Sequence, residues 1–373
     1  MPMGTNASDV PTSLRGDRCA GLRAGRRSGF TITELLVVIF IIVLIIAITV
    51  PALSSARASA KKTETAQLLS TLSAGVSQFI LDENRQPGYF TVKNMGHSEN
   101  QTEGLSGMQN IMLEMLGGIV PDNTPAVPNV ILDVGPRTAG KIKVDRNKIN
   151  LAQPGGGKLY WASLAAKVFE RSDENGLPFD TGNERRLGAT AGTNDNTKIR
   201  EIVDAFGAPV LAWAADDTIR TPITQVEDFA TESSDMTTAR AYWNSNAAFL
   251  STGVVVGIQG KAQDEAGLPI NEIVSLLGQR RTAIDRGRTL TGLLGNTGSP
   301  KNPGEPVITD ILPTSAVGSV TFHSAGRDGI YLSRNNAGAK GATPSANGPI
   351  LDYGLVLREK LIEKFDDVVQ PSN

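Results

Sequence analysis

Sixteen consecutive uncharged residues, 35–50, stand directly behind a lone carboxylate, Glu34, and no other stretch constrains this chain as strongly. Counted from Phe30, the run is 21 residues long with Glu34 its only charge. A helix rising about 1.5 Å per residue needs about 20 residues to cross the hydrocarbon core of a bilayer. A carboxylate at the edge of such a span costs about 2.5 to 3.5 kcal/mol if it must sit deep and unpaired. Glu34 therefore needs a reason to be there.

Three segments follow from this anchor. Residues 1–29 are rich in Gly, Ser and Arg, without apolar periodicity, which predicts a disordered leader. Its Arg15, Arg18, Arg23, Arg26 and Arg27 keep that end in the cytoplasm by the positive-inside rule. Residues 30–83 predict one long helix, transmembrane over 30–50. Pro51 kinks it without ending it, and Leu69, Leu72, Val76, Phe79 and Ile80 form an apolar stripe at spacings of three and four. The stop falls at 82–88, where Pro87-Gly88 signals a turn. Residues 84–373 are left for a globular head.

Within the head, 104–117 predicts a second amphipathic helix ended by Gly117-Gly118, and 158–171 a further helix. Strand-like runs occur at 130–133, 141–144 and 148–151. Gln153 to Lys158 lacks the first Gly and the Ser or Thr of a phosphate loop and reads as a turn. The polar stretch 172–196 reads as a loop with solvated acids. In the turn Asp204-Ala205-Phe206-Gly207-Ala208-Pro209, Asp initiates, Gly permits positive φ, and Pro leads into a strand at 210–214. A long insertion, 218–313, shows helix-like stretches at 234–250 and 271–278 and a Gly, Asn and Pro rich segment at 292–306. A strand at 319–322 then runs into Ser324-Ala325-Gly326-Arg327-Asp328-Gly329. The expected fold class is α+β: a long amino-terminal helix packed on a small antiparallel sheet, with helical and loop insertions.

Gly29 followed by Phe30, with Glu34 the fifth residue from Phe30, resembles the class III signal of type IV pilins and type II secretion pseudopilins. That resemblance implies a membrane prepilin peptidase that cuts after Gly29 and methylates the new terminus on Phe30. It implies that Glu34 then neutralises such an amine, its own or a neighbouring subunit's, in a low-dielectric layer. Pro51, the twenty-second residue after the cut, is where the family often places a helix-kinking proline. The 204–209 and 324–329 turns are similar to the Asp-Pro-Trp-Gly-x-Pro and Ser-x-Gly-x-Asp-Gly turns of the major pseudopilin, with Ala205 for Pro and Phe206 for Trp. The leader is longer than the family's usual one.

In major pseudopilins an acidic loop after the second turn binds calcium. Here the resemblance implies calcium ligands at Asp328 and at the Asp366-Asp367 pair, with Asp352 a rival. A hairpin that needs no metal is the alternative, since calcium wants six to eight oxygens. The only cysteine, Cys19, lies in the leader, so the remainder cannot close a disulfide, which favours the pseudopilin branch.

Composition excludes other classes. The formal charge is −2, and removing a leader with five Arg, Asp9 and Asp17 brings the rest near −5, which is no footprint for nucleic acid. Two histidines, His97 and His323, and the absence of nucleophile, metalloprotease or dinucleotide motifs argue against an enzyme. The expectation is a filament subunit of the inner membrane, single-pass, with a cytoplasmic terminus and a periplasmic head. Its partners would be the prepilin peptidase, other pilin or pseudopilin subunits and an inner-membrane assembly platform. The alternative is a signal-bearing or membrane-anchored extracytoplasmic binding protein, cut after Ala60 at Ala58-Ser59-Ala60 or left uncut. The apolar run is longer than the usual 7 to 15 residue signal core, which weighs against it.

Overall fold

The computed structural model describes residues 30–128, 130–136, 139–150, 159–161, 164, 195–199, 201–216, 218–232, 239–251, 275–278, 282–297, 312–333 and 365–372. The leader, the 153–158 turn, nearly all of the 172–196 loop and Asp352 lie outside them. The chain divides into two compact units, 1–55 and 56–373.

The first helix, α1 (Ile32–Glu83), runs 52 residues with Pro51 inside it. Thr49 Oγ1 donates to the carbonyl of Ile45 at 2.9 Å, one of two such hydroxyl bonds on consecutive carbonyls just before the proline. In the first unit every large apolar side chain of the helix is exposed, Phe40 to 69%. The segment is long and apolar enough to cross a membrane, a test that a signal sequence near an amino terminus also passes. In the second unit the helix buries Thr65, Leu69, Leu72, Ser73, Gly75, Val76 and Phe79 on one face, as the spacing predicts. It ends where Asn84 turns left-handed at φ 53°.

Beyond it come α2 (Val92–Met95), α3 (Asn100–Glu103) and α4 (Gly107–Met115). Ser106 and Gln109 close a reciprocal capping box at the start of α4, and Gly117 and Gly118 follow it at φ 69° and 98°. A hairpin, β1 (Ile131–Val134) and β2 (Ile142–Asp145), pairs Leu132 with Val144. The strand expected at 148–151 is instead α5 (Arg146–Asn150), which turns Ile149 into the core directly after β2. Within the helix expected at 158–171, the described residues 159–161 and 164 form turn and bend. Trp161 is buried there, its Nε1 donating to the carbonyl of Leu72 at 3.1 Å.

Next is β3 (Leu211–Ala214), and then the insertion: β4 (Ala230–Thr231), β5 (Ala241–Tyr242), α6 (Ala247–Ser251), α7 (Ala283–Leu294), β6 (Gly295–Thr297) and β7 (Pro313–Ala316). Of the helix expected over 234–250, the described residues 239–250 are α-helical only in α6. Before it lie β5 and a 3-10 turn, because Trp243 Nε1 bonds the carbonyl of Leu277 and Asn244 bonds the carbonyls of Gly96 and Glu232. Residues 275–278 form a turn bridged to Ser333 rather than a helix. The Gly, Asn and Pro rich segment at 292–306 begins as the end of α7.

Two last strands, β8 (Val320–Ser324) and β9 (Val368–Pro371), complete an antiparallel sheet of order β3-β8-β9. Alternation along a strand gives it two apolar faces. Ala212, Val320 and Phe322 join the core under α1 and α4. Leu211 and Trp213 join a second core with Phe229, Trp243, Leu250, Leu290 and Leu293. The insertion thus supplies the second apolar layer of the head. The mixed helix and sheet content is α+β, with small antiparallel sheets and one two-residue parallel pair, β4 with β5.

Candidate functional site

Gly29 lies outside the described residues. Phe30 is 78% exposed ahead of the first turn of α1. Glu34 Oε2 accepts the backbone N–H and the hydroxyl of Thr31, both at 2.8 Å, while Thr31 Oγ1 accepts the N–H of Glu34 at 3.2 Å. This is a capping box, visible in the sequence as Thr31-Ile32-Thr33-Glu34 and missed there. It holds the carboxylate over the first turn, one residue from Phe30.

The two turns singled out in the sequence meet at the end of the central sheet. In the first, Asp204 Oδ1 accepts the N–H groups of Phe206 at 2.8 Å and Ala208 at 2.9 Å, and Gly207 takes φ 93°. In the second, Ser324 at the end of β8 donates its hydroxyl to Asp204 Oδ2 at 2.5 Å, and Gly326 and Gly329 take φ 69° and 70°. Burial pushes the Asp204 carboxyl up to about 6, against the lowering effect of Ser324 and the turn's N–H donors. The first turn also reaches α1, where Ala205 N–H donates to Thr65 Oγ1 at 3.2 Å.

The carboxylates assigned to calcium separate into two environments. Asp366 Oδ2 accepts the Asp328 N–H at 3.0 Å, and Asp328 Oδ1 accepts the Ile330 N–H at 2.8 Å; both residues are half-buried. Asp367 is buried, its Oδ2 bonded to His323 Nε2 at 2.6 Å and to the N–H of Leu332 at 2.9 Å. Burial raises its carboxyl above the ordinary value despite the His323 contact. Asp328 and Asp366 are therefore joined through a backbone N–H, whereas Asp367 is turned to His323. Among the described residues no three His, Cys, Asp or Glu side chains converge as a metal site.

His323 and Ser324, neighbours on β8, take different partners, Asp367 and Asp204, and do not form a base and nucleophile. Tyr331 packs edge-on to His323 and donates its hydroxyl to the Pro209 carbonyl at 2.5 Å. The pairing of His323 with Asp367 has no local sequence signal, since 44 residues separate them. No family model matches the chain, and neither a curated protein nor a solved structure matches it.

Proposed function

We propose that this protein is a type IV pilin-like subunit, most like a major pseudopilin, which is cut by a prepilin peptidase after Gly29 and polymerised from the inner membrane. The observation that carries this reading is Glu34. It is the one charge in residues 30–56, the exposed apolar part of a helix long enough to span a bilayer, and it is held at the helix start one residue from the proposed new terminus. Cleavage would leave an amine on Phe30, and a carboxylate already fixed over the first turn is placed to receive that amine or its counterpart on an adjoining subunit. Further support comes from the two pseudopilin-like turns, which join through Asp204 and Ser324. In this reading the filament acts mechanically, with the head in the periplasm and no catalysis.

Glu34 serves both as cap and as charge, and substitution separates the two. Glu34→Gln keeps an oxygen for Thr31 and loses the charge, whereas Glu34→Ala loses both. Both variants should be cleaved and inserted normally, and both should fail to form intersubunit crosslinks, because an unpaired buried amine costs several kcal/mol. Assembly of Glu34→Gln at wild-type level would leave the carboxylate as a helix cap alone. Mass measurement of the mature protein runs alongside: a start at Phe30 is expected, and a start at Lys61 or an uncut chain would favour the anchored binding protein.

A further inference from the structure

We propose that Leu332 is a strained hinge through which docking of the carboxy-terminal strand holds the insertion turn 275–278 in place. Among the described residues, Asn84 and Leu332 are the two that take a positive φ without being glycine. Asn84 ends α1 and is a residue type that tolerates this conformation, whereas Leu332, at φ 48°, carries a bulky side chain buried in the second core. A left-handed backbone there is disfavoured by about five- to thirtyfold against an ordinary one. Contacts on both sides of the residue must hold it. The proposal does not depend on the filament reading.

Both halves of Leu332 are tethered, each to a different part of the chain. Its N–H donates to Asp367 Oδ2 at 2.9 Å, just ahead of β9, and the same oxygen meets His323 Nε2 at 2.6 Å. Its carbonyl accepts the Leu276 N–H at 3.0 Å. Around that bond Ser275 Oγ donates to the Tyr331 carbonyl at 2.5 Å and accepts the Leu277 N–H at 3.0 Å, and Ser275 is bridged to Ser333. The Leu277 carbonyl in turn accepts Trp243 Nε1 at 2.8 Å. Among the described residues no hydrogen bond joins Asp367 to the turn directly, so the strand and the insertion meet at the Leu332 backbone. An unstrained residue would keep one tether when the other is lost. A strained one relaxes, and the remaining bond opens more often. Strain thereby turns two separate contacts into a coupled pair.

The test is hydrogen exchange of the full-length protein in detergent, read at single amides. D367A removes one tether and should speed exchange at the Leu276 amide about five- to thirtyfold, while the Val144 amide of the β1–β2 hairpin, in the first core, keeps its rate. In return, S275A should speed exchange at the Leu332 amide, since coupling is reciprocal. L332A and L332G isolate the strain, because both empty the side-chain site and only the glycine accepts a left-handed backbone freely. The effect of D367A on Leu276 should persist in L332A and largely vanish in L332G. An equal effect in the two backgrounds would show two separate contacts and overturn the proposal. So would a Leu276 rate indifferent to D367A, or a Val144 rate raised by the same factor. If L332A and L332G fail to fold, S275A decides in the wild-type background: a Leu332 amide that it leaves unchanged overturns the proposal.

Discussion

Asp204 ties the two turns to each other, and its environment makes the tie sensitive to rising pH. The folded value of about 6 lies above the ordinary carboxyl value near 3.8. Between the two the folded chain holds a proton that the unfolded chain has lost, so the contribution is fully present below about pH 4 and fades as pH rises through 6. A shift of this size corresponds to about 3 kcal/mol. Asp367, raised in the same direction by burial, adds a slope of the same sign. The melting temperature of the head should therefore fall from pH 4 to pH 6.5, and Asp204→Asn, which keeps an oxygen for the Phe206 and Ala208 N–H groups, should flatten part of that fall. A variant profile parallel to the wild type would count against the assignment. At Gly326 the strain is geometric: φ is 69°, and an added Cβ would lie 2.4 Å from the Asp366 carbonyl oxygen. Gly326→Ala should cost about 1 to 3 kcal/mol in denaturant titration.

Packing overrides intrinsic preference between elements, and Gly75 on α1 shows which effect is larger. In an exposed helix Gly→Ala gains about 1 kcal/mol. Here a Cβ would stand 2.4 Å from Trp161 Cδ1 and 2.5 Å from the Nε1 that bonds Leu72. Overpacking of this kind costs about 1 to 3 kcal/mol, so Gly75→Ala should lower stability, and a gain in melting temperature would show that the indole moves aside freely. The stripe facing that indole was legible in the sequence because Leu69, Leu72, Val76 and Phe79 repeat along a long helix. The turns at 204–209 and 324–329 were legible because Asp, Gly and Pro each have a local reason to be there. By contrast, α7 was not legible, since Gly287, Gly292 and two threonines give it the composition of a loop. It is a helix because Thr282 caps its first turn at the Asp285 N–H, Gly287 fits closely against Ala230, and Leu290 and Leu293 fill the second core. The His323 and Asp367 pair was illegible for a different reason, being set by strand pairing rather than by neighbours in the chain.

For the head as a whole, the decisive arrangement is that its central strand, β8, has partners from distant parts of the sequence, β3 ahead of it and β9 at the end of the chain. The β9 segment is fastened further by Ser73 Oγ to the Pro371 carbonyl at 3.0 Å, by Ser372 to both backbone groups of Val320, and by Asp367 beneath it. Removing residues 365–373 should leave a chain that still inserts its apolar helix but whose head is cleaved readily by added protease; a protease-resistant head in that deletion would show that β9 is dispensable. Synthesis runs from the other end. Until the ribosome has made residues 368–371, Ser73 has no Pro371 to hold and β8 lacks one neighbour. The sheet can therefore be finished only after residue 371 has been read, 298 residues behind the serine that it fastens. A chain that stopped short of residue 368 would thus carry a two-stranded remnant of the sheet, open to proteolysis.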